Sequence, residues 1–138
     1  DSDNALDSIN EAITMNDKEP WSYYIRSNLK FEKGDNQGAL NDINIALTKE
    51  IRIKAERGQY YGQMAKIKFT MGDIKKALED INKGIEIIES EQNSNNPDER
   101  LAEVEMMELY KNRADMKFAF GDTDGAQEDV KKLESFKK

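Results

Sequence analysis

The side chains that most often carry catalysis are missing from this chain. It contains no histidine and no cysteine among its 138 residues. Those two residue types supply the commonest general bases, nucleophiles and metal ligands, so the usual catalytic and metal-binding arrangements are not available. Aspartate and glutamate are abundant, at 28 residues, but close carboxylate pairs are expected by composition on the solvated faces of an acidic helical chain. We therefore expect a protein that is not an enzyme, with no catalytic residue, no bound metal and no cofactor.

Two short segments resemble ligand-binding loops but depart from them. Asp122-Thr123-Asp124-Gly125 has the composition of a calcium loop, yet it lacks the further spaced oxygen ligands and the closing glutamate. Gly34-Asp35 is not part of a phosphate-binding loop, because the G-x-x-x-x-G-K pattern is absent. We interpret Gly34-Asp35 as the turn of a helical hairpin.

Charge and composition restrict the class of partner. The net charge is -7, which disfavours nucleic acid, because binding there depends on lysine and arginine neutralising phosphates. A membrane surface of anionic lipid is disfavoured for the same reason. No stretch approaches the ~18 apolar residues of a membrane span. With only two prolines and eight glycines, long stretches contain no helix breaker, which favours an all-α chain. The cellular compartment stays open.

A pattern of seven positions recurs three times along the chain. It is anchored on Gly-Asp pairs at residues 34–35, 72–73 and 121–122. A tyrosine stands eleven residues before each glycine, a small residue seven before and a phenylalanine three before. An alanine follows five residues after each glycine, and a β-branched residue nine after. The alanines are Ala39, Ala77 and Ala126, and a partial fourth copy opens the chain at Ala5. Successive alanines are 34, 38 and 49 residues apart, and internal repeats of this length indicate a helical repeat protein.

The residues after each Gly-Asp pair have helical spacing. Apolar side chains at Ala77, Leu78, Ile81, Ile85 and Ile88 form one stripe of a 3.6-residue helix. The glycine is expected to supply the left-handed residue that ends one helix, and the aspartate to cap the next. Seven helices are predicted near residues 3–16, 20–33, 36–49, 52–71, 74–91, 97–120 and 123–136. A loop is predicted over residues 90–96, with Asn96 as N-cap and Pro97 as first helical residue.

The order Tyr, small residue, Gly-Asp, Ala, Ile, Ala resembles the tetratricopeptide repeat, and the resemblance covers essentially the whole chain. It implies an all-α fold, a right-handed α-solenoid of antiparallel helix hairpins with about 3.5 repeats and seven helices. The implied organisation is a single domain over residues 1–138, with a half repeat, two repeats, and a repeat with a C-terminal cap (residues 1–19, 20–50, 51–92 and 93–138). Where the family usually has an aromatic residue four before the glycine, this chain has Lys30, Lys68 and Lys117. We interpret these lysines as solvated side chains whose stems cover apolar neighbours.

The resemblance also implies a function and a site. Tetratricopeptide-like stacks present the inner faces of their first helices along a groove, which implies a scaffold or adaptor that binds another protein or a peptide. The implied binding residues are Trp21, Tyr24, Asn28, Phe31, Gln59, Lys66, Phe69, Glu108, Lys111, Asp115 and Phe118, with Gly62 at a further groove position. Aromatic rings would supply contact area, and the polar side chains would fix the direction of a peptide.

Several of these residues have a second interpretation. The phenylalanines are equally consistent with core packing, and Trp21, which follows Pro20, with a hydrophobic staple at a helix start. Asn28, Lys66 and Lys111 partly resemble the carboxylate clamp of some tetratricopeptide domains. Gly62 and Asp115 depart from that clamp.

The start of the chain leaves a further question open. In repeat register the chain begins at the second helix of a hairpin, so the apolar stripe of helix 3–16 lacks a partner. Either a helix precedes it in a longer protein, or it packs only on the next repeat. The uncovered stripe raises the alternative of a self-associating structural module, a homodimer through the N-terminal half repeat. A third alternative is the repeat fragment of a larger regulatory protein.

Overall fold

The computed structural model describes residues 2–91 and 99–136, which form seven α-helices and no β-strand. Their bounds are α1 (Ser2–Met15), α2 (Pro20–Glu32), α3 (Asn36–Thr48), α4 (Lys54–Thr70), α5 (Ile74–Ser90), α6 (Glu99–Phe120) and α7 (Thr123–Ser135). The all-α fold is confirmed, and each helix ends within two residues of its predicted span. The predicted loop over residues 90–96 and the Asn96-Pro97 helix start fall largely on residues 92–98, outside the described residues. None of the helices in the described part of the chain has the length and apolar character of a membrane span.

The hairpin turns have the chemistry predicted from the Gly-Asp pairs. Gly34, Gly72 and Gly121 have positive φ angles of 86°, 92° and 96°, a region in which a Cβ atom is strained. The aspartate that follows each glycine is the N-cap of the next helix. The three carboxylates accept hydrogen bonds from the backbone N–H groups of Gly38, Lys76 and Gly125. Each turn therefore ends one helix and begins the next within four residues.

The chain divides into two compact units. Unit 1 comprises Asp1–Arg52 with helices α1 to α3, and unit 2 comprises Ile53–Lys138 with helices α4 to α7. In unit 1, α2 packs against both α1 and α3. In unit 2, each helix packs against the next one along the chain, and α6 also contacts α4.

Small residues allow the two helices of a hairpin to approach closely. In unit 1, the Ser27 hydroxyl on α2 donates a 2.8 Å hydrogen bond to the carbonyl oxygen of Ala39 on α3. In unit 2, a Cβ atom built on Gly84 of α5 would lie 2.7 Å from the carbonyl oxygen of Gly58 on α4. These small residues therefore lie where the two helices of a hairpin come close together, and larger side chains there would separate the helices.

The core of unit 2 lies among α4, α5 and α6. Buried apolar side chains from the three helices form one cluster, which comprises Ala65, Ala77, Ile81, Ile85, Ile88, Met106, Leu109, Tyr110 and Met116. Phe69, Leu78 and Phe136 pack against it and are partly buried. This core fixes the orientation of α4 and α6, and it thereby determines which of their faces point outward.

An unexpected ion cluster joins the helices of unit 1. Asp42 on α3 is buried and accepts two hydrogen bonds from the guanidinium group of Arg26 on α2, at 2.8 and 2.7 Å. The ammonium group of Lys30 lies 3.0 Å from the same carboxylate. The third nitrogen of the Arg26 guanidinium group, Nη1, donates a 3.0 Å hydrogen bond to the side-chain oxygen of Asn10 on α1. One arginine therefore links three helices.

The same cluster recurs in unit 2. Asp129 on α7 accepts two hydrogen bonds from Arg113 on α6, at 2.9 and 2.7 Å, and Lys117 lies 3.2 Å away. Arg113 also donates to the side-chain oxygen of Asn82 on α5 at 3.0 Å. The guanidinium group thus holds the hairpin of α6 and α7 to the preceding helix.

The repeated lysines consequently need a correction. Lys30, Lys68 and Lys117 were expected to be solvated, but each forms a salt bridge with an aspartate on the second helix of its hairpin. That aspartate stands eight residues after the glycine of the turn. The three acceptors are Asp42, Asp80 and Asp129. The physical reason is that these carboxylates are largely buried on the second helix of each hairpin, where an unpaired charge would be costly.

Candidate functional site

The first helix of unit 1 presents an aromatic stripe. Trp21, Tyr24, Asn28 and Phe31 are spaced by three, four and three residues, so they lie along one face of α2. Trp21 is 40% exposed, and the other three side chains are partly exposed. The Trp21 and Tyr24 rings lie 4.9 Å apart between centroids, tilted by 35°. We call these four residues the α2 stripe.

Two interpretations of Trp21 can now be distinguished. A hydrophobic staple uses the residue before the N-cap. The N-cap of α2 is Glu19, and Trp21 is the second residue within the helix. Its ring instead packs beside Tyr24, one turn along the same helix. Trp21 is therefore part of an outward aromatic pair and not of a staple.

The equivalent stripe on α4 is less open. Gln59, Lys66 and Phe69 are partly exposed, and Phe69 packs against the core of unit 2. Gly62, which was expected to line the groove, is buried, and a Cβ atom there would lie 2.4 Å from Leu109 on α6. The expectation for Gly62 was wrong, because α6 occupies the space in front of this residue.

The stripe on α6 is the most exposed of the three. Glu108, Lys111 and Asp115 are exposed, and the Phe118 side chain is 53% exposed. Phe118 therefore differs from its repeat equivalent Phe69, which packs against the core of unit 2. The core interpretation fits Phe69, whereas an outward role fits Phe118. We call Glu108, Lys111, Asp115 and Phe118 the α6 stripe.

Sequence reasoning missed a glutamate that extends this stripe. Glu105 lies three residues before Glu108 on α6 and is partly buried. Burial raises the pKa of Glu105 to about 7, and the neighbouring carboxylates of Glu56 and Glu108 act in the same direction. A hydrogen bond with Gln59 opposes them by favouring the charged form. The signal in the sequence is the helical spacing of three residues between Glu105 and Glu108, which places the two carboxylates one turn apart on α6.

These carboxylates do not form a metal site. In residues 2–91 and 99–136, no group of three or more aspartate or glutamate side chains is placed to hold a metal ion. The arrangement can act on a ligand through ring contacts, amide hydrogen bonds and charge. In unit 1 the stripe is aromatic and uncharged, whereas in unit 2 it is mostly charged.

Solved structures share this arrangement of helices. A crystal structure of MamA protein matches with a TM-score of 0.71 at 18% sequence identity, over 98% of this chain and 63% of that chain. The chain has a tetratricopeptide-like fold. A second crystal structure of MamA gives a TM-score of 0.72 at 18% identity, over 99% of this chain and 68% of that chain.

The comparisons with sequences give no relative. No family model matches the chain, and no curated protein matches it. At 18% identity, the likeness to MamA shows the fold alone. The chain spans about 63% of the length of the first MamA structure, so the whole of that protein has parts with no counterpart here.

Proposed function

We propose that this chain is a non-catalytic scaffold that binds another protein or a peptide on the outward faces of the first helices of its hairpins. The observation that carries the proposal is the exposed Trp21–Tyr24 ring pair on α2. Tryptophan and tyrosine are enriched at the energetic centres of protein interfaces, because they bury a large area at a small cost in side-chain entropy. Their contact with each other restricts both rings before any ligand arrives.

The rest of the α2 stripe suits an extended peptide. The Asn28 amide can donate to a peptide carbonyl group and accept from a peptide N–H group. Phe31, one turn further along, is partly exposed and supplies a second apolar contact. From Trp21 to Phe31 the helix rises about 15 Å, which an extended peptide spans with roughly five residues. The stripe therefore fits a short linear segment.

Selection from a random peptide display library tests this proposal. The double variant Trp21→Ala/Tyr24→Ala removes the ring pair, and Met15→Ala removes another exposed apolar side chain of unit 1, which is 82% exposed on α1. We expect the wild type and Met15→Ala to enrich the same peptide consensus, and the double variant to lose it. Enrichment of an unchanged consensus by the double variant would contradict the role of the α2 stripe.

A second candidate function is self-association through α1. Ala5 and Ala12 on α1 are exposed, whereas their repeat equivalents Ala39 and Ala46 are fully buried. A second copy could cover this face. Sedimentation measurements at increasing protein concentration test it, with Ala12→Lys as the blocking variant. A monomeric mass at every concentration would exclude this function, and a dimer that Ala12→Lys abolishes would support it.

A further inference from the structure

Helix α1 repeats the sequence of α3 but not its burial. The two helices align with a shift of 34 positions, and α1 carries alanine, isoleucine and alanine where α3 does. On α3 these three side chains are fully buried, whereas on α1 both alanines are exposed and the isoleucine is partly exposed. The residues are Ala5, Ile9 and Ala12 on α1, and Ala39, Ile43 and Ala46 on α3.

The side of α1 that packs on α2 is a different one. Within unit 1, α1 packs against α2 alone. Asn10 accepts the hydrogen bond from Arg26 on α2, and Ile13 is buried. At 3.6 residues per turn, Asn10 and Ile13 lie about 120° around the helix from Ala5 and Ala12. Helix α1 therefore has a second, open side, and we call its residues Ala5, Ser8, Ile9 and Ala12 the α1 face.

The other repeats show what covers an equivalent face. In unit 1, the Ser27 hydroxyl on α2 donates its hydrogen bond to the carbonyl oxygen of Ala39 on α3. In unit 2, Gly84 on α5 is the equivalent of Ala12, and it lies against the Gly58 backbone of α4. In both units the covering element is the first helix of a hairpin, and it approaches through small residues. The α1 face therefore fits a helix with a small residue near its centre.

Charge distinguishes the α1 face from its equivalents. The helices α3, α5 and α7 each carry a largely buried aspartate at the same repeat position, and each aspartate forms a salt bridge with a lysine of the first helix. The pairs are Lys30–Asp42, Lys68–Asp80 and Lys117–Asp129. Helix α1 has Ser8 at this position, and it is exposed. A cation placed opposite Ser8 would lose hydration without gaining a carboxylate, so the α1 face favours an uncharged partner there.

A second copy of the chain does not offer a matching helix. Among the described helices, α2, α4 and α6 already pack against the second helices of their own hairpins. Each of the three also carries the lysine that would stand opposite Ser8. The partner that complements the α1 face in charge is therefore a helix of another protein.

We propose that the α1 face binds an amphipathic helix of another protein, which has a small residue near its centre and uncharged residues one position before and three positions after it. The small residue takes the place of Ser27, and the uncharged residues take the places of Arg26 and Lys30. The bound helix completes the hairpin whose second helix is α1. The inference goes beyond the scaffold function proposed above, since it concerns a different helix and a helical ligand, and the two can fail separately.

Two labelled peptides with the sequence of the α2 segment test the proposal. One has the native sequence of residues 18–33, and the other, the glutamine peptide, carries Arg26→Gln/Lys30→Gln. Fluorescence anisotropy at about 0.15 M salt, which screens long-range attraction, measures their affinities for the chain. The wild-type chain should bind the glutamine peptide more tightly than the native peptide. Ser8→Asp restores the aspartate of the other repeats, so it should shift the affinity ratio at least about fivefold towards the native peptide, as one well-placed ion pair would give.

Two further variants locate the binding face. Ala12→Lys places a charge in the middle of the α1 face and should weaken binding of the glutamine peptide at least about tenfold. Thr14 is exposed on the opposite side of α1 and provides the matched controls. Thr14→Asp should leave the affinity ratio at its wild-type value, and Thr14→Lys should leave the affinity for the glutamine peptide unchanged. Circular dichroism of each variant checks that its helix content is retained.

Three results would overturn the proposal. The first is that neither peptide binds, and the second is that Ser8→Asp and Thr14→Asp change the affinity ratio alike. The third is a dimer in sedimentation that Ala12→Lys abolishes and the glutamine peptide does not dissociate, because a second copy would then occupy the α1 face. The display selection with Trp21→Ala/Tyr24→Ala judges the α2 stripe independently of all three.

Discussion

At the scale of single residues, the buried aspartates bear most directly on stability. Asp129 is almost fully buried and is held by Arg113 and Lys117, so two cations compensate one carboxylate. Such a cluster adds little over an apolar replacement of the whole group, but removing one partner leaves buried charge without compensation. The role of Asp129 is therefore to fix how α7 sits on α6.

The variant Asp129→Ala tests this role. It should lower the free energy of unfolding by about 3 kcal/mol, because Arg113 and Lys117 lose their acceptor while remaining partly buried. Urea denaturation followed by circular dichroism measures the change. Glu128→Ala, its exposed neighbour on α7, should change stability by less than about 0.5 kcal/mol. Equal effects of the two variants would show that the ion cluster contributes nothing specific.

Glu105 should make stability depend on pH near neutrality. Its pKa in the folded chain is about 7, above the usual value of 4.5, so between these values the folded state binds more protons than the unfolded state. Stability is therefore highest below about pH 4.5 for this group and falls as the pH rises towards 7. Glu105→Gln should be more stable than the wild type at pH 8 by about 1 kcal/mol, a modest value because solvent screens a partly exposed carboxyl.

Urea denaturation at pH 5 and pH 8 would measure this effect. The advantage of Glu105→Gln over the wild type should be larger at pH 8 than at pH 5. Glu103→Gln changes an exposed glutamate on the same helix and controls for the loss of one negative charge. If the stability of both variants changes with pH in the same way, the surroundings of Glu105 do not raise its pKa.

At the scale of helices, the sequence predicted where each helix and turn lies, but it did not predict which residues of different helices are in contact. Helix positions followed from the apolar spacing, and the turns followed from Gly34-Asp35 and its two equivalents, because a left-handed residue and a side-chain cap act locally. The partner of each repeated lysine was not predicted, since Lys30 and Asp42 are brought together only when two helices pack. The burial of Gly62 was missed for the same reason, because Leu109 lies 47 residues away in sequence. Contacts within a helix can be read from spacing, and contacts between helices require the fold.

Two glycines should respond to alanine substitution for different reasons. Gly84 lies inside α5, where alanine has the better helix propensity by about 1 kcal/mol. Even so, Gly84→Ala should destabilise unit 2, since the new Cβ atom would lie 2.7 Å from the Gly58 carbonyl oxygen and backbone atoms yield little. Gly72→Ala meets no atom within 4 Å, so its cost of about 1–2 kcal/mol should come from the φ angle of 92° alone.

Thermal unfolding of both variants would separate these causes. Replacing residue 72 with D-alanine by chemical synthesis should restore wild-type stability, because the mirror residue accepts a positive φ angle. The same replacement at Gly84 should not restore it. Glu86→Ala, at an exposed position of α5, is the control for helix propensity and should be neutral or slightly stabilising. A stabilised Gly84→Ala would show that α4 and α5 can separate without cost.

At the scale of the whole molecule, the two units differ in the character of the faces that they present. Unit 1 carries the uncharged α2 stripe, and unit 2 carries the charged α6 stripe. The repeat register identified both stripes, because equivalent positions of each first helix share one face. It did not identify their difference in exposure, which depends on what packs in front of each helix. The fold was therefore predictable from the repeat, while the exposure of each face depended on residues outside it.

The overall charge gives a prediction for the chain as a whole. A net charge of -7 should prevent measurable binding to a short DNA duplex, even at low ionic strength, because the phosphates would be repelled. Fluorescence anisotropy of a labelled DNA duplex, titrated with the protein, tests this prediction. A labelled lysine-rich peptide, titrated in the same way, is the positive control. The peptide should bind, and its affinity should fall as salt screens the carboxylates. DNA binding that weakens steeply with added salt would contradict the prediction, since it would reveal a basic surface that the described faces of α2 and α6 do not provide.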